Sequence, residues 1–101
     1  MAKKFKMPRF MIVSYNPKTS RYAESITDAR KIAYKEHPGE IVFKSEIFEY
    51  QPNKNGHEWR LIEYVDFNSL QRKKPFDLMC FNTNGGYILH RNGRLGKKVV
   101  E

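Results

Sequence analysis

The fold class is decided by residues 25–36, which read SITDARKIAYKE. Ser25 is a favourable helix N-cap, and Asp28 follows three residues later, where a capping box has its second partner. Apolar residues then recur at helical spacing: Ile26, Ala29, Ile32 and Ala33. The charged residues fall mostly on the other side, so the pattern predicts an amphipathic helix that stops at the following His37-Pro38-Gly39. Its apolar stripe must be buried against another element.

The segments on both sides of this helix are typical of β-strands. Before it, the apolar run of residues 10–15 predicts an interior strand, because both of its alternating faces are apolar. Residues 20–23 predict a short strand that returns as a hairpin after the Asn16-Pro17 turn. The other predicted strands follow the helix: residues 41–50, 58–66, 76–81, 87–91 and a return strand from Arg94.

The predicted connections complete the pattern. A turn-rich stretch at residues 51–57 predicts a seven-residue loop, and Asn92-Gly93 predicts a two-residue hairpin turn. Residues 68–74 predict one helical turn. In the strand at residues 58–66 we expect one face to carry three apolar side chains: Trp59, Leu61 and Val65.

The order of elements predicts an α+β fold, with one main helix packed on a mostly antiparallel sheet of about five strands. A small half-open β-barrel with one helix is the alternative arrangement. Residues 1–9 are expected to form a flexible basic arm, and residues 10–101 a single α+β domain.

Charge is the unusual feature of the composition. The 101 residues include 19 Lys and Arg against 11 Asp and Glu, which gives a net charge of +8. The bases are concentrated in two segments: residues 1–22 carry six bases and no acid, and residues 70–101 carry seven bases and two acids. Such an excess indicates an acidic partner or a solubility requirement and does not determine the fold.

Cysteine usage and hydropathy indicate the compartment. The single cysteine, Cys80, and the absence of an Asn-x-Ser/Thr sequence favour a reducing compartment. The longest apolar run near the start is only residues 10–13, too short for a secretory signal, and no segment approaches the ~20 apolar residues of a membrane span. We therefore expect a cytoplasmic protein with no membrane contact.

No residue pattern indicates a metal, a cofactor or a catalytic centre. The candidate metal ligands match no zinc signature: His37, His57, Cys80 and His90. The single arrangement that resembles a nucleophile pair is Cys80 with His90, which Asp77 could orient. Because Cys80 lies in a predicted buried strand, we expect a small hydrophobic side chain there. We expect no enzyme and no cofactor; a small nuclease is the enzyme class that would suit the charge best.

The basic clusters favour nucleic-acid binding, because phosphate contacts from Lys and Arg supply most sequence-independent affinity. We expect the contacts to come from Arg72, Lys73, Lys74, Arg91, Arg94, Lys97 and Lys98, with Lys3, Lys4 and Lys6 as a mobile supplement. Four tyrosines are candidates for base stacking: Tyr22, Tyr50, Tyr64 and Tyr87. A further basic group lies on the helix at Arg30, Lys31 and Lys35, where a solvated helix face is the simpler interpretation.

The hypothesis is therefore a small basic binding domain without enzymatic activity, which contacts nucleic acid or a nucleic-acid-handling protein assembly through a Lys- and Arg-rich face. The alternative is a protein-directed inhibitor or adaptor that docks on an acidic protein surface. Short chains of this style, without motifs, are common among phage and mobile-element accessory proteins, including inhibitors of host defence nucleases. In that case residues 1–9 and the loop at residues 51–57 would reach the partner.

Overall fold

The computed structural model describes residues 8–15, 18–36, 44–67 and 78–100. They form one helix and seven strands: β1 (Phe10–Ser14), β2 (Thr19–Ala23), α1 (Ile26–Lys35), β3 (Lys44–Asn53), β4 (Gly56–Phe67), β5 (Leu78–Asn82), β6 (Gly85–Leu89) and β7 (Leu95–Val100). In this part of the chain no helix combines the length and the apolar character that crossing a membrane requires.

The seven strands form one open antiparallel sheet in the order β2-β1-β3-β4-β5-β6-β7. The predicted α+β fold with one helix on a mostly antiparallel sheet is confirmed, and β1 is an interior strand as its two apolar faces indicate. The strands number seven rather than about five. The two additional strands, β2 and β7, are the ones that the sequence indicates only as return strands of hairpins. They are mostly exposed and are held by backbone pairing with β1 and β6, so neither has an apolar run of its own. The sheet that the described strands form has two open edges, at β2 and at β7, whereas a closed barrel has none.

Helix α1 begins and ends close to the predicted positions. The Ser25 side chain accepts a hydrogen bond from the backbone N–H of Asp28 at 3.1 Å, which satisfies one of the unpaired donors of the first turn. Ala29 and Ala33 are fully buried against the sheet. Their small side chains let the helix backbone lie close to the strands, so the predicted apolar stripe does face the core.

The core lies between α1 and the facing side of the sheet. Its centre is formed by the fully buried side chains of Ile12, Ile47, Val65 and Cys80, one from each of four neighbouring strands. Close packing of such side chains accounts for most of the stabilisation expected in a domain of this size. Cys80 thus occupies the buried strand position that the sequence predicts.

The predicted loop at residues 51–57 is wrong. Strands β3 and β4 continue through it and leave only Lys54 and Asn55 as the connecting turn. The Asn53 side chain accepts a hydrogen bond from the Asn55 N–H at 2.8 Å, and Gly56 has a φ of 126°, a conformation that favours glycine. The sequence predicts a turn at the correct place, but the turn contains two residues and not seven. We call residues 50–61 of this hairpin the arm.

The predicted apolar face of β4 is also wrong. The pairing of β3 with β4 shifts between Ile47 and Phe48, which leaves Ile62 as an extra residue on β4. Because strand side chains alternate, one extra residue reverses the faces beyond it. Val65 therefore lies in the core, whereas Leu61 is 46% exposed and shares the opposite face with Trp59.

Candidate nucleic-acid interface

The β6–β7 hairpin carries the last of the predicted basic clusters. Its loop is closed by two backbone hydrogen bonds, from Gly93 N–H to the His90 carbonyl at 2.9 Å and from His90 N–H to the Arg94 carbonyl at 3.0 Å. This bonding places Arg91 and Asn92 in the middle of the turn and Gly93 after them with a φ of 87°. The pattern is that of a three-residue hairpin loop and not of the predicted two-residue turn.

The turn of this hairpin is seated against the N-terminal half of α1. A Cβ atom added at Gly93 would lie 2.3 Å from the Thr27 carbonyl oxygen and 2.9 Å from Cγ of Lys31. Only glycine permits so close an approach, and the positive φ makes the same demand. The turn is therefore fixed on the helix, and this contact brings the basic hairpin next to the basic helix side at Lys31.

The bases of the hairpin are exposed. Arg91 lies in the turn, Arg94 directly follows it, and Lys97 and Lys98 lie on the edge strand β7. The sequence from residue 78 to residue 100 contains these four bases and no acid. Among the residues that the structure describes, no carboxylate lies within ion-pair distance of Arg91, Arg94 or Lys97. Their charges are thus available to a phosphate or to an external carboxylate.

The helix bases differ from one another. Lys31 lies 3.7 Å from Asp28 in an exposed pair, as expected for a solvated helix face. Arg30 points to the sheet instead and binds Glu63 through two hydrogen bonds, from Nη2 at 2.6 Å and from Nε at 3.0 Å. Arg30 is therefore part of the interior and does not belong to a contact surface.

The other predicted contact residues lie outside the described parts of the chain: Lys3, Lys4, Lys6, Arg72, Lys73 and Lys74. The same holds for nearly all of the N-terminal basic segment, residues 1–9, that the sequence predicts to be flexible, and for the predicted helical turn at residues 68–74. Their contribution to a common basic face stays a prediction.

Cys80 and Glu63 form a buried polar cluster with Arg30. The thiol donates to Oε2 of Glu63 at 3.1 Å, and both side chains are buried. Burial raises the pKa of the Cys80 thiol, and the negative charge of Glu63 raises it further. The hydrogen bonds to Glu63 also raise the pKa of Arg30. The thiol is therefore held protonated, the opposite of what a nucleophilic cysteine requires.

The residues considered for catalysis do not assemble where the structure can be described. The Cys80 thiol donates to Glu63. The His90 ring lies against Gly96, where an added Cβ would come within 2.3 Å of Nε2. Asp77 lies outside the described residues. In the described ranges no three His, Cys, Asp or Glu side chains come close enough together to hold a metal ion.

Aromatic rings form a row on the sheet face opposite the helix, which the sequence did not predict as a unit. Tyr50 stacks on His57 with ring centroids 4.9 Å apart, and its centroid lies 4.9 Å from that of Trp59. Tyr22, 54% exposed, lies 6.2 Å from Trp59. Tyr50 and Trp59 are direct cross-strand neighbours, so the row stabilises the arm and leaves Tyr22 accessible.

The other two tyrosines considered for stacking have different surroundings. Tyr64 is covered by the Phe81 ring, at a centroid distance of 5.0 Å, and by the Lys44 ammonium, 4.6 Å from its ring centre. Tyr87 lies on β6 opposite Cys80 and is half-buried. Tyr22 is therefore the most accessible candidate of the four. The signal that could have separated them is strand pairing, which a single sequence does not contain.

Comparison with known proteins gives no match: no family model fits the sequence, and no curated protein and no solved structure is significantly similar to it. The functional inference therefore rests on the residues and contacts described above.

Proposed function

We propose that this chain is a binding domain without enzymatic activity, and that it contacts nucleic acid through the β6–β7 hairpin. One observation carries the proposal. The hairpin carries four exposed bases and no acid in its own segment, and its turn, with Arg91 in it and Arg94 directly after it, is fixed to α1 through Gly93. A fixed array of bases binds phosphates at a lower entropic cost than a mobile one.

The chemistry favours phosphate contacts that do not depend on base sequence. Arg91 and Arg94 can each make a bidentate contact to a phosphate, and Lys97 and Lys98 act as point charges beside them. Counterion release then makes the binding strongly dependent on salt. The predicted bases at Lys3, Lys4, Lys6, Arg72, Lys73 and Lys74 would add to this surface. Tyr22 would add base stacking if the ligand is single-stranded.

The proposal is tested by fluorescence anisotropy with labelled random DNA and RNA, each in single- and double-stranded form, over a salt series. We expect binding at low salt to at least one form, with a slope of log K against log salt of about −3 to −4 if the four hairpin bases each contact one phosphate. Absence of binding to all forms at low salt would overturn the proposal. The acidic protein surface of the alternative hypothesis would then be the partner to search for.

A further inference from the structure

One long edge of the sheet has no neighbouring strand in the described part of the chain. Strand β4 extends from Gly56 to Phe67, but β5 pairs with it only at residues 64–67. Within the described residues, the backbone donors and acceptors of residues 56–63 that face away from β3 therefore have no partner strand. An exposed edge of this length is a template for another strand, and proteins normally shorten, bend or cover such edges.

Trp59, the bulkiest side chain of this segment, does not shield the edge. The Trp59 ring leans over β3, where it contacts the rings of Tyr50 and Tyr22, and so points away from the free edge. Glu58 and Arg60 lie on the other face as an exposed pair 3.6 Å apart. Along this strand the apolar Trp59 and Leu61 therefore alternate with the oppositely charged Glu58 and Arg60. The backbone groups on its free side remain able to form hydrogen bonds with another strand.

We propose that a second copy of this chain pairs with the free edge of β4, antiparallel and around a twofold axis that passes between the two Trp59 residues. In this register Glu58 lies opposite Arg60 of the second copy, and Arg60 lies opposite its Glu58. Centring the pairing one residue earlier would place the two Glu58 side chains opposite each other, and centring it one residue later would do the same for the two Arg60 side chains. Like charges directly opposite each other are destabilising, so the charge pattern selects the register centred on Trp59.

The groove at the end of the free edge fits the same arrangement. It has a volume of about 410 Å³ and lies between residues 61–64 of β4 and residues 81–86 of the β5–β6 hairpin. In the proposed register Gly56 of the second copy lies opposite Ile62, so the Lys54-Asn55 turn of that copy reaches the groove. Each of the two grooves would therefore receive the tip of the other arm. This association does not depend on the proposed nucleic-acid contact.

The test uses the charge pattern itself. Sedimentation equilibrium of the full chain, up to roughly 1 mM, should show a reversible dimer. E58R and R60E each place like charges opposite each other twice and should weaken the dimer about tenfold or more. The double variant E58R/R60E restores complementarity and should return the dissociation constant to within about threefold of the original. E24R is the matched control, a charge reversal at an exposed glutamate away from β4.

Each result bears on the proposal. A monomer at all concentrations would overturn it, and so would a dimer that E58R, R60E and the double variant all leave unchanged. Amide hydrogen exchange gives a second measurement that does not depend on variants. Exchange at residues 57–61 should slow as the protein concentration rises, while exchange in the edge strand β2, which lies away from the free edge of β4, should not change. Equal exchange rates at low and high concentration would contradict β4 pairing.

Discussion

Two Arg–Glu pairs, each with its glutamate on β4, show how different two parts of this molecule are. Under α1, Arg30 donates two hydrogen bonds to Glu63, and the two side chains are 16% and 7% exposed. In the arm, a few residues away, Arg60 and Glu58 lie 3.6 Å apart and are 62% and 45% exposed. The pairs are chemically alike, yet the first fixes the helix to the sheet and the second is accessible to solvent and to partners.

Strand β4 thus belongs to two environments, which meet at the Ile62 bulge. On the core side, β4 is flanked by β3 and β5 and covered by α1. On the arm side, β3 is its only pairing partner among the described residues, and none of residues 50–61 is fully buried. The first environment stabilises the fold, and the second leaves the backbone edge and the charged side chains of β4 accessible to a partner.

The largest expected effect is the loss of Glu63. In E63A the Arg30 guanidinium would stay largely buried without a carboxylate, and we expect the free energy of unfolding to fall by about 3–5 kcal/mol. The matched variant E58A should change it by no more than about 0.5 kcal/mol, because exposed pairs contribute little. Urea unfolding of both variants measures the difference. Similar losses for E63A and E58A would contradict the distinction between the two environments.

Two of the turn glycines, Gly93 and Gly56, give a second, smaller contrast. Both have positive φ, but an added Cβ meets the Thr27 carbonyl at Gly93 and open space at Gly56. We expect G93A to cost roughly 2–3 kcal/mol and G56A about 1 kcal/mol, since only the former adds a clash to the backbone strain. Thermal or urea unfolding provides the values. If G56A proved the more destabilising, the hairpin turn would not be seated on α1 as described.

A third prediction uses pH. Because the pKa of Cys80 is raised in the folded state, its thiol stays protonated there while the unfolded thiol ionises above about pH 8.5. The stabilisation that the protonated Cys80 thiol gives the folded state is complete below that pH and is lost as the pH rises. Between pH 8 and pH 10 the wild type should lose about 1–2 kcal/mol more than C80A, the variant without the thiol. Parallel pH profiles for the two proteins would show that Cys80 ionises in both states alike.

The sequence predicts those elements whose signals are local. Ser25 and the spacing of four apolar residues predict α1, and the Asn- and Gly-containing turns predict the hairpins. The bulge at Ile62 has no local signal, because it exists only in the pairing with β3. The Arg30–Glu63 pair joins residues 33 positions apart, so a basic helix residue looked exposed until the fold was known. At the candidate site the bases of the β6–β7 hairpin were predicted, whereas their contact with α1 through Gly93 was not.

The measurement that tests the proposed surface most directly compares two double variants in the salt-dependent anisotropy assay. R91Q/R94Q removes two charges from the hairpin turn, and K18Q/K54Q removes two exposed charges elsewhere. If the hairpin contacts phosphates, R91Q/R94Q should flatten the salt slope by about two units, and K18Q/K54Q should change it by less than about half a unit. Equal changes in the two variants would mean that net charge alone drives binding, and an unchanged slope in R91Q/R94Q would remove the hairpin from the site.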